Sequence, residues 1–188
     1  MDQDKTASTE PWLRGTLTDV PVVPRAVLHA LELAREDLIR WAGNLSQEEL
    51  HLRPSDIPSV AAQLRHIARS LDRLLTYAEG HALDQRQIEC LRSETAVEGT
   101  RKELFDELTA ALEESAVRVR RLADSDLNTV RTVGKMQLPT TLGGLLVHVA
   151  DHTQRHVGQI ITTAKLVTAS RSTLQQSNSE SLSNSRKL

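Results

Sequence analysis

Aromatic residues are nearly missing from this chain. One Phe, one Tyr and two Trp serve 188 residues. That excludes the stacked aromatic platforms on which single-stranded nucleic acids are read. Cysteine is scarcer still. Cys90 stands alone, so no internal disulfide can form, which fits a reducing compartment. No motif surrounds it that would mark a nucleophile, and ordinary packing or exposure is the simpler reading. Long apolar runs are absent as well, and none approaches the ~20 residues that span a bilayer. The opening MDQDKTASTEP has no apolar stretch of the signal-peptide kind, so a cytoplasmic location is expected. Charge of one sign is not massed anywhere. Lys and Arg number 23 against 25 Asp and Glu, a net charge of −2. Neither nucleic acid nor a membrane surface is an expected partner, and a small-molecule substrate is.

What the chain does have is helical periodicity. From Pro24 to about Leu45, Val27, Leu28, Leu31, Leu38 and Trp41 recur on one side, and Gly43-Asn44 ends the pattern. Ser46 to Glu49 fits a capping box and predicts a short helical turn. Pro54 and Pro58 mark a loop. A second helix is expected over Ser59–Glu79, with Val60, Leu64, Ile67, Leu71, Leu74, Leu75 and Ala78 as its stripe and Gly80 as its stop. Residues 81–99 are mixed, with a short helix around Gln85–Leu91. Thr100 and Glu103 form another capping box and open a third helix to about Leu122, with Leu104, Phe105, Leu108, Leu112 and Val119 inward. The stretch 124–140 reads as a loop or a short hairpin. A fourth helix is expected over about Thr141–Val167.

These elements predict an all-α four-helix bundle over residues 21–167. Before it, residues 1–20 form a polar segment in which Trp12 and Leu13 are expected to dock on the domain. After it, the Ser-, Asn- and Gln-rich residues 168–188 are expected to be disordered.

The chemistry concentrates in the last helix. Residues 148–159 read H-V-A-D-H-T-Q-R-H-V-G-Q. His148, His152 and His156 recur at a spacing of four, and each step of four advances only about 40° around a helix. All three imidazoles therefore leave one side, beside the stripe of Leu142, Leu145, Leu146, Val149, Ile160 and Ala164. Imidazole is the commonest protein ligand for zinc, nickel and iron, and an i, i+4 pair can hold one ion. Histidines can also merely line a polar edge, but three in register make that weaker. Thr153 stands where the zinc-protease motif H-E-x-x-H needs its glutamate, which disfavours metal-assisted peptide hydrolysis.

A tight site needs at least one more ligand from elsewhere. His81 follows a helix-stopping glycine and should be solvated. His51 has the Glu48-x-x-His51 spacing of di-iron bundles, but no second copy exists, so surface exposure is the better reading. His29 is a core or edge histidine of the first helix. His66 is the best candidate: it sits mid-helix, and Ser59, Gln63 and Ser70 share its side as a polar strip next to the core.

Two segments carry a resemblance. IPSVAAQLRHIARSLDRLLTYAEG leads from a proline-bearing loop into a helix with a mid-helix histidine, and LLVHVADHTQRHVGQIITTAK carries H-x3-H-x-G-Q. In motif and order, residues 24–167 resemble the DinB/YfiT-like superfamily of bacterial four-helix bundles. The resemblance implies a divalent metal (zinc, nickel or iron) held by three histidines, here His66, His152 and His156; His148, one turn before the pair, reads as lining the cleft or backing the ligands, with a ligand role as its alternative. It also implies chemistry, since characterised members include maleylpyruvate isomerases and transferases that use mycothiol, bacillithiol or glutathione. A homodimer is expected on the same ground.

Three neutral imidazoles leave an ion's charge uncompensated, which suits it to generate hydroxide or thiolate at neutral pH. The leading expectation is a metal-dependent, thiol-using transferase. The alternatives are a non-catalytic, stress-linked metal-binding protein and a metal-dependent hydrolase. No general base is evident. Asp151 lies about 100° from His152 and reads as a solvated or salt-bridged carboxylate. Arg73 reads as a surface charge, with the holding of an anionic substrate as its functional alternative. Gln159 is placed to donate to a ligand or pack at the cleft, and Gly158 to permit close helix contact or to be a merely tolerated glycine.

Overall fold

Side-chain caps open most of the helices of this chain, as seen in a computed structural model that describes residues 9–94 and 99–185, with side chains through Arg171. Helix α1 spans Val22–Ala42. Pro24 falls in its first turn, where a missing N–H costs nothing, and the Gly43 N–H closes the other end on the Ile39 carbonyl at 3.0 Å. Helix α2, Gln47–His51, opens on a reciprocal box in which the Glu49 N–H donates to Ser46 Oγ and the Ser46 N–H to Glu49 Oε2. Helix α3, Val60–Ala78, is capped by Ser59, whose Oγ accepts from the Ala62 N–H at 3.2 Å. Helix α4, Gln85–Arg92, has its own Asp84/Gln87 box. Helix α5, Arg101–Arg121, starts at the Thr100/Glu103 box.

Between α5 and the last helix the chain forms a two-stranded antiparallel hairpin. Strand β1 (Val130–Val133) pairs with β2 (Leu138–Thr141) in the register Val130↔Thr141 to Val133↔Leu138. Of the two readings open for 124–140, the hairpin is the one realised. Helix α6, Leu142–Ser185, follows directly. Its start is tied down by the Leu142 N–H on the Thr129 carbonyl and the Gly143 N–H on the Leu127 carbonyl, at 2.9 and 2.8 Å.

The long helices α1, α3, α5 and α6 form the bundle. Helix α6 packs against α1 and α3, and α5 packs against the same two from the other side. Leu38, Leu64, Ile67, Leu71, Leu75, Leu104, Leu142, Leu146 and Ile160 are fully buried between them. Each such side chain contributes roughly 1.5–3 kcal/mol relative to leaving it in water. With almost no aromatic residues, leucine supplies most of the core volume. Among the described residues no helix is long and apolar enough to cross a membrane.

Two expectations are corrected. Trp12 and Leu13 do not dock: they sit in a single 3₁₀ turn and are 61% and 57% exposed. The segment is held instead by buried Pro11 and Val20, and by Arg14, which bridges Glu32 and Glu36 of α1 at 2.9 and 2.6 Å. The last helix also runs past 167. Val167 is buried, the hydroxyls of Thr168 and Ser170 donate one turn back, and Arg171 lies 3.1 Å from Glu49. The remainder of the disordered tail expected over 168–188 falls on side chains from 172 onward and on residues 186–188, which lie outside the described residues.

Candidate metal centre

The rotation of α6 about its axis is set by its buried residues. Val149, Thr153, Val157 and Ile160 are all inside, and the Thr153 hydroxyl is satisfied by the Val149 carbonyl at 2.7 Å. The position where a metalloprotease carries its glutamate therefore faces the core. With that face fixed, His152 and His156 emerge half-buried at the edge of the helix, and His148, one turn earlier, is exposed.

Helix α3 brings its own polar strip to the same edge. Ser59, Gln63 and Ser70 are buried. The Gln63 amide donates to the Pro58 carbonyl at 2.6 Å and to Thr163 Oγ1 of α6 at 3.0 Å. Ser70 Oγ approaches His152 Nδ1 at 3.5 Å. These contacts lock α3 and α6 in register and put His66 opposite the histidine pair. The ring of His66 lies 5.2 Å from that of His152 and 4.4 Å from that of His156, centroid to centroid. One nitrogen from each of the three can be chosen so that all lie within 4.8 Å of one another.

That spacing fits a single ion. Two nitrogens at the ~2.0–2.1 Å of a Zn–N bond stand at most about 4.2 Å apart, so the cluster needs only small side-chain rotations to close. His148 lies 5.5 Å from His152 in ring separation and outside the cluster. The three histidines named from sequence are thus the three that the fold brings together.

The electrostatics also favour a cation over protons. Burial, reinforced by the neighbouring His156, His66 and His148 rings, pushes His152 from its ordinary 6.5 down to about 4. His156 is lowered by burial and by His66, while a hydrogen bond with Gln159 opposes the shift. Near neutral pH both offer lone pairs.

One functional residue was invisible in the sequence. Glu94, two residues past the end of α4, places Oε1 3.3 Å from His66 Nδ1 and accepts from both terminal nitrogens of Arg73 at 3.3 Å. The Glu94 and Arg73 side chains are only 13% and 11% exposed. Burial opposes the Glu94 charge, but His66 and Arg73 outweigh it and hold the carboxyl below the usual range. Glu94 sits in a stretch without periodicity, and nothing in the linear order ties it to His66, 28 positions earlier. An imidazole whose Nδ1–H donates to a carboxylate keeps Nε2 as its lone-pair nitrogen, the arrangement found behind metal-bound histidines.

The other candidates fall elsewhere. His29 is buried and meets Thr16 Oγ1 at 3.2 Å, as a core histidine would. His51 is half-buried rather than exposed, because the carbonyl of Gly99 reaches it at 3.1 Å. His81 is exposed, as expected. Asp151 pairs with Arg155 one turn on. Arg73 is neither a surface charge nor free to take a substrate, since Glu94 occupies it. Gly158 faces open space, so it serves no helix contact. Cys90 is half-buried, and its carbonyl accepts from Arg69.

A helical bundle with three imidazoles converging from two helices, one of them backed by a carboxylate, is an arrangement compatible with holding a divalent metal. The particular family follows from the sequence match: the model of the DinB superfamily covers residues 30–160, and the chain belongs to that superfamily. Among curated proteins no sequence matches the chain.

Proposed function

We propose that this protein is a metal-dependent enzyme of the thiol-using transferase kind, with one divalent ion held by His66, His152 and His156. The observation that carries the reading is the convergence of three half-buried imidazoles within 4.8 Å on an edge that solvent reaches, with burial lowering the pKa of two of them, His152 and His156. When bound, the ion would supply Lewis acidity, lowering the pKa of a thiol or water brought to it.

The protein's own residues support this use. Glu94 holds the His66 ring by its Nδ1 and fixes which nitrogen faces the cluster. A hydrogen bond with the exposed Gln159 also restrains His156. Arg73 cancels the Glu94 charge, so the residues around the site add no net negative charge that would repel an anionic substrate. The buried Thr153 and Gln63 fill the core side and leave approach only from outside.

The test is elemental analysis of the purified protein, followed by calorimetry of glutathione, bacillithiol and mycothiol against metal-loaded and metal-free forms. About one divalent ion per chain is expected, lost in His152→Ala with helicity kept. At least one thiol should bind the loaded form better than the stripped form. If the ion binds and no thiol discriminates, the transferase reading fails and hydrolysis or non-catalytic metal binding takes its place.

A further inference from the structure

A large cavity lies away from the histidines. It encloses about 830 Å³ between the end of α3, helix α4 and the hairpin, within the range of small-molecule sites. Tyr77 lies on its wall, eleven residues past His66, or about 16 Å along the helix axis.

Its charge is one-sided. Arg92, Arg131, Lys135 and His81 line it, and no carboxylate does. Among the described residues none of Arg92, Arg131 and Lys135 forms an ion pair. The neighbouring cleft of about 280 Å³ is the contrast. There Arg69, Arg73, Arg86 and Arg118 each meet a carboxylate, on Glu107, Glu94, Asp72 and Asp72 with Glu79 respectively. The described residues thus pair the arginines of one cleft with carboxylates and offer none to the three cations of the next.

Arg131 is also pre-set. Its Nε donates to the Ala78 carbonyl at 2.7 Å and one terminal nitrogen to the Val130 carbonyl at 3.0 Å. The guanidinium lies over Gly80, whose φ of +87° favours glycine, and a Cβ there would stand 3.6 Å from Arg131 Nε. Two backbone carbonyls fix the group, and its remaining nitrogen has no protein partner among the described residues. Tyr77, Ile88 and Leu91 supply an apolar wall, and Leu91 is 46% exposed.

We propose that this cavity is a second ligand site, for an organic anion with an apolar body, such as an aromatic carboxylate. The fixed guanidinium takes the anionic group, Arg92 and Lys135 add to the field, and the apolar wall takes the body. Its occupation does not depend on the metal centre.

The experiment titrates 2-naphthoate, its neutral analogue 2-naphthamide, and acetate into ¹⁵N-labelled full-length protein. Naphthoate should bind about tenfold tighter than either of the others, because a charged hydrogen bond and an apolar contact act together. The shifted amide signals should centre on Gly80 and Gly134. Arg131→Gln should weaken naphthoate at least fivefold. The double variant Arg92→Gln/Lys135→Gln, whose side chains make no contact needed for folding, should weaken it as well. His152→Ala should leave it unchanged. Equal binding of naphthoate and naphthamide, shifts confined to other surfaces, or an unaffected double variant would each overturn the proposal.

Discussion

Replacing Glu94 by Gln is the sharpest probe of the metal centre, because it removes one charge and almost no volume. The amide oxygen can still accept from the His66 ring or from Arg73, so the local packing stays. What changes is the strength with which His66 is held and polarised. Removing the partner behind a metal-bound histidine costs about 10–100-fold in metal affinity. The geometry selects the lower end. Charge-assisted hydrogen bonds run about 2.7–2.9 Å, whereas Glu94 stands 3.3 Å from both His66 and Arg73 and divides its charge between them. A loss of about tenfold, or ~1.4 kcal/mol, is expected. Competition with a chromophoric chelator at fixed pH measures it. Arg73→Gln is the companion variant: it leaves the Glu94 carboxylate undivided beside His66, so metal affinity should rise even as the metal-free protein loses stability. Opposite signs on affinity with a shared loss of stability mark a positioning role. If both variants weaken metal equally, or neither changes it by more than about twofold, the Glu94–His66 contact is structural only and the reasoning fails.

The remaining expectations concern stability and assembly. His152 titrates at about 4 when folded against an ordinary 6.5, so the unfolded chain binds the extra proton between those values. Metal-free protein should therefore be fully supported by this group above pH ~6.5 and lose that support as pH falls toward ~4. The ceiling is about 3.4 kcal/mol, reduced by partial exposure to roughly 1–2, and the loss should shrink in His152→Ala when urea midpoints are compared at pH 7 and 5. Arg118→Ala should destabilise by about 3 kcal/mol in chemical denaturation, the low end for a broken buried pair, because its partners Asp72 and Glu79 keep 37% and 26% exposure. A change under 1 kcal/mol would show that solvent replaces the pairing. Light scattering at micromolar concentration should give twice the chain mass, and a monomer mass would refute the homodimer.

Much of this architecture is local, and local features are readable. The Ser46/Glu49 and Thr100/Glu103 boxes lie three residues apart and each acts within one turn, so helix starts could be placed from the letters. The leucine stripes fixed which faces turn inward, and through them the edge carrying His152 and His156. His66 was reachable because Ser59, Gln63 and Ser70 mark its side of the helix. The features that escaped are non-local. Glu94 meets His66 only because α4 folds back along α3, a contact with no periodic trace. The Trp12–Leu13 pair misled because two large apolar residues invite docking, while the segment is anchored by the charge of Arg14. The last helix continues past 167 for a related reason: polar residues lower apolar content without preventing a helix whose hydroxyls bond one turn back, as those of Thr168 and Ser170 do.

The charge balance of the site narrows what it suits. His152 and His156 are held below their ordinary pKa, and the Glu94 and Arg73 charges offset one another, so that pair adds no net charge beside the histidines. A divalent cation would then enter a site that neither repels nor neutralises it, and its full charge would remain for an outside partner. In a carboxylate-rich site the protein itself would satisfy that charge, and in a thiolate site it would soften it. Here the compensating anion has to come from solution, through the side where His66, His152 and His156 are half-exposed and where no carboxylate among the described residues, apart from the occupied Glu94, competes for the place. On the proposed reading, thiols and acidic small molecules are the ligands that such a balance would favour, and neutral substrates the ones it would serve least.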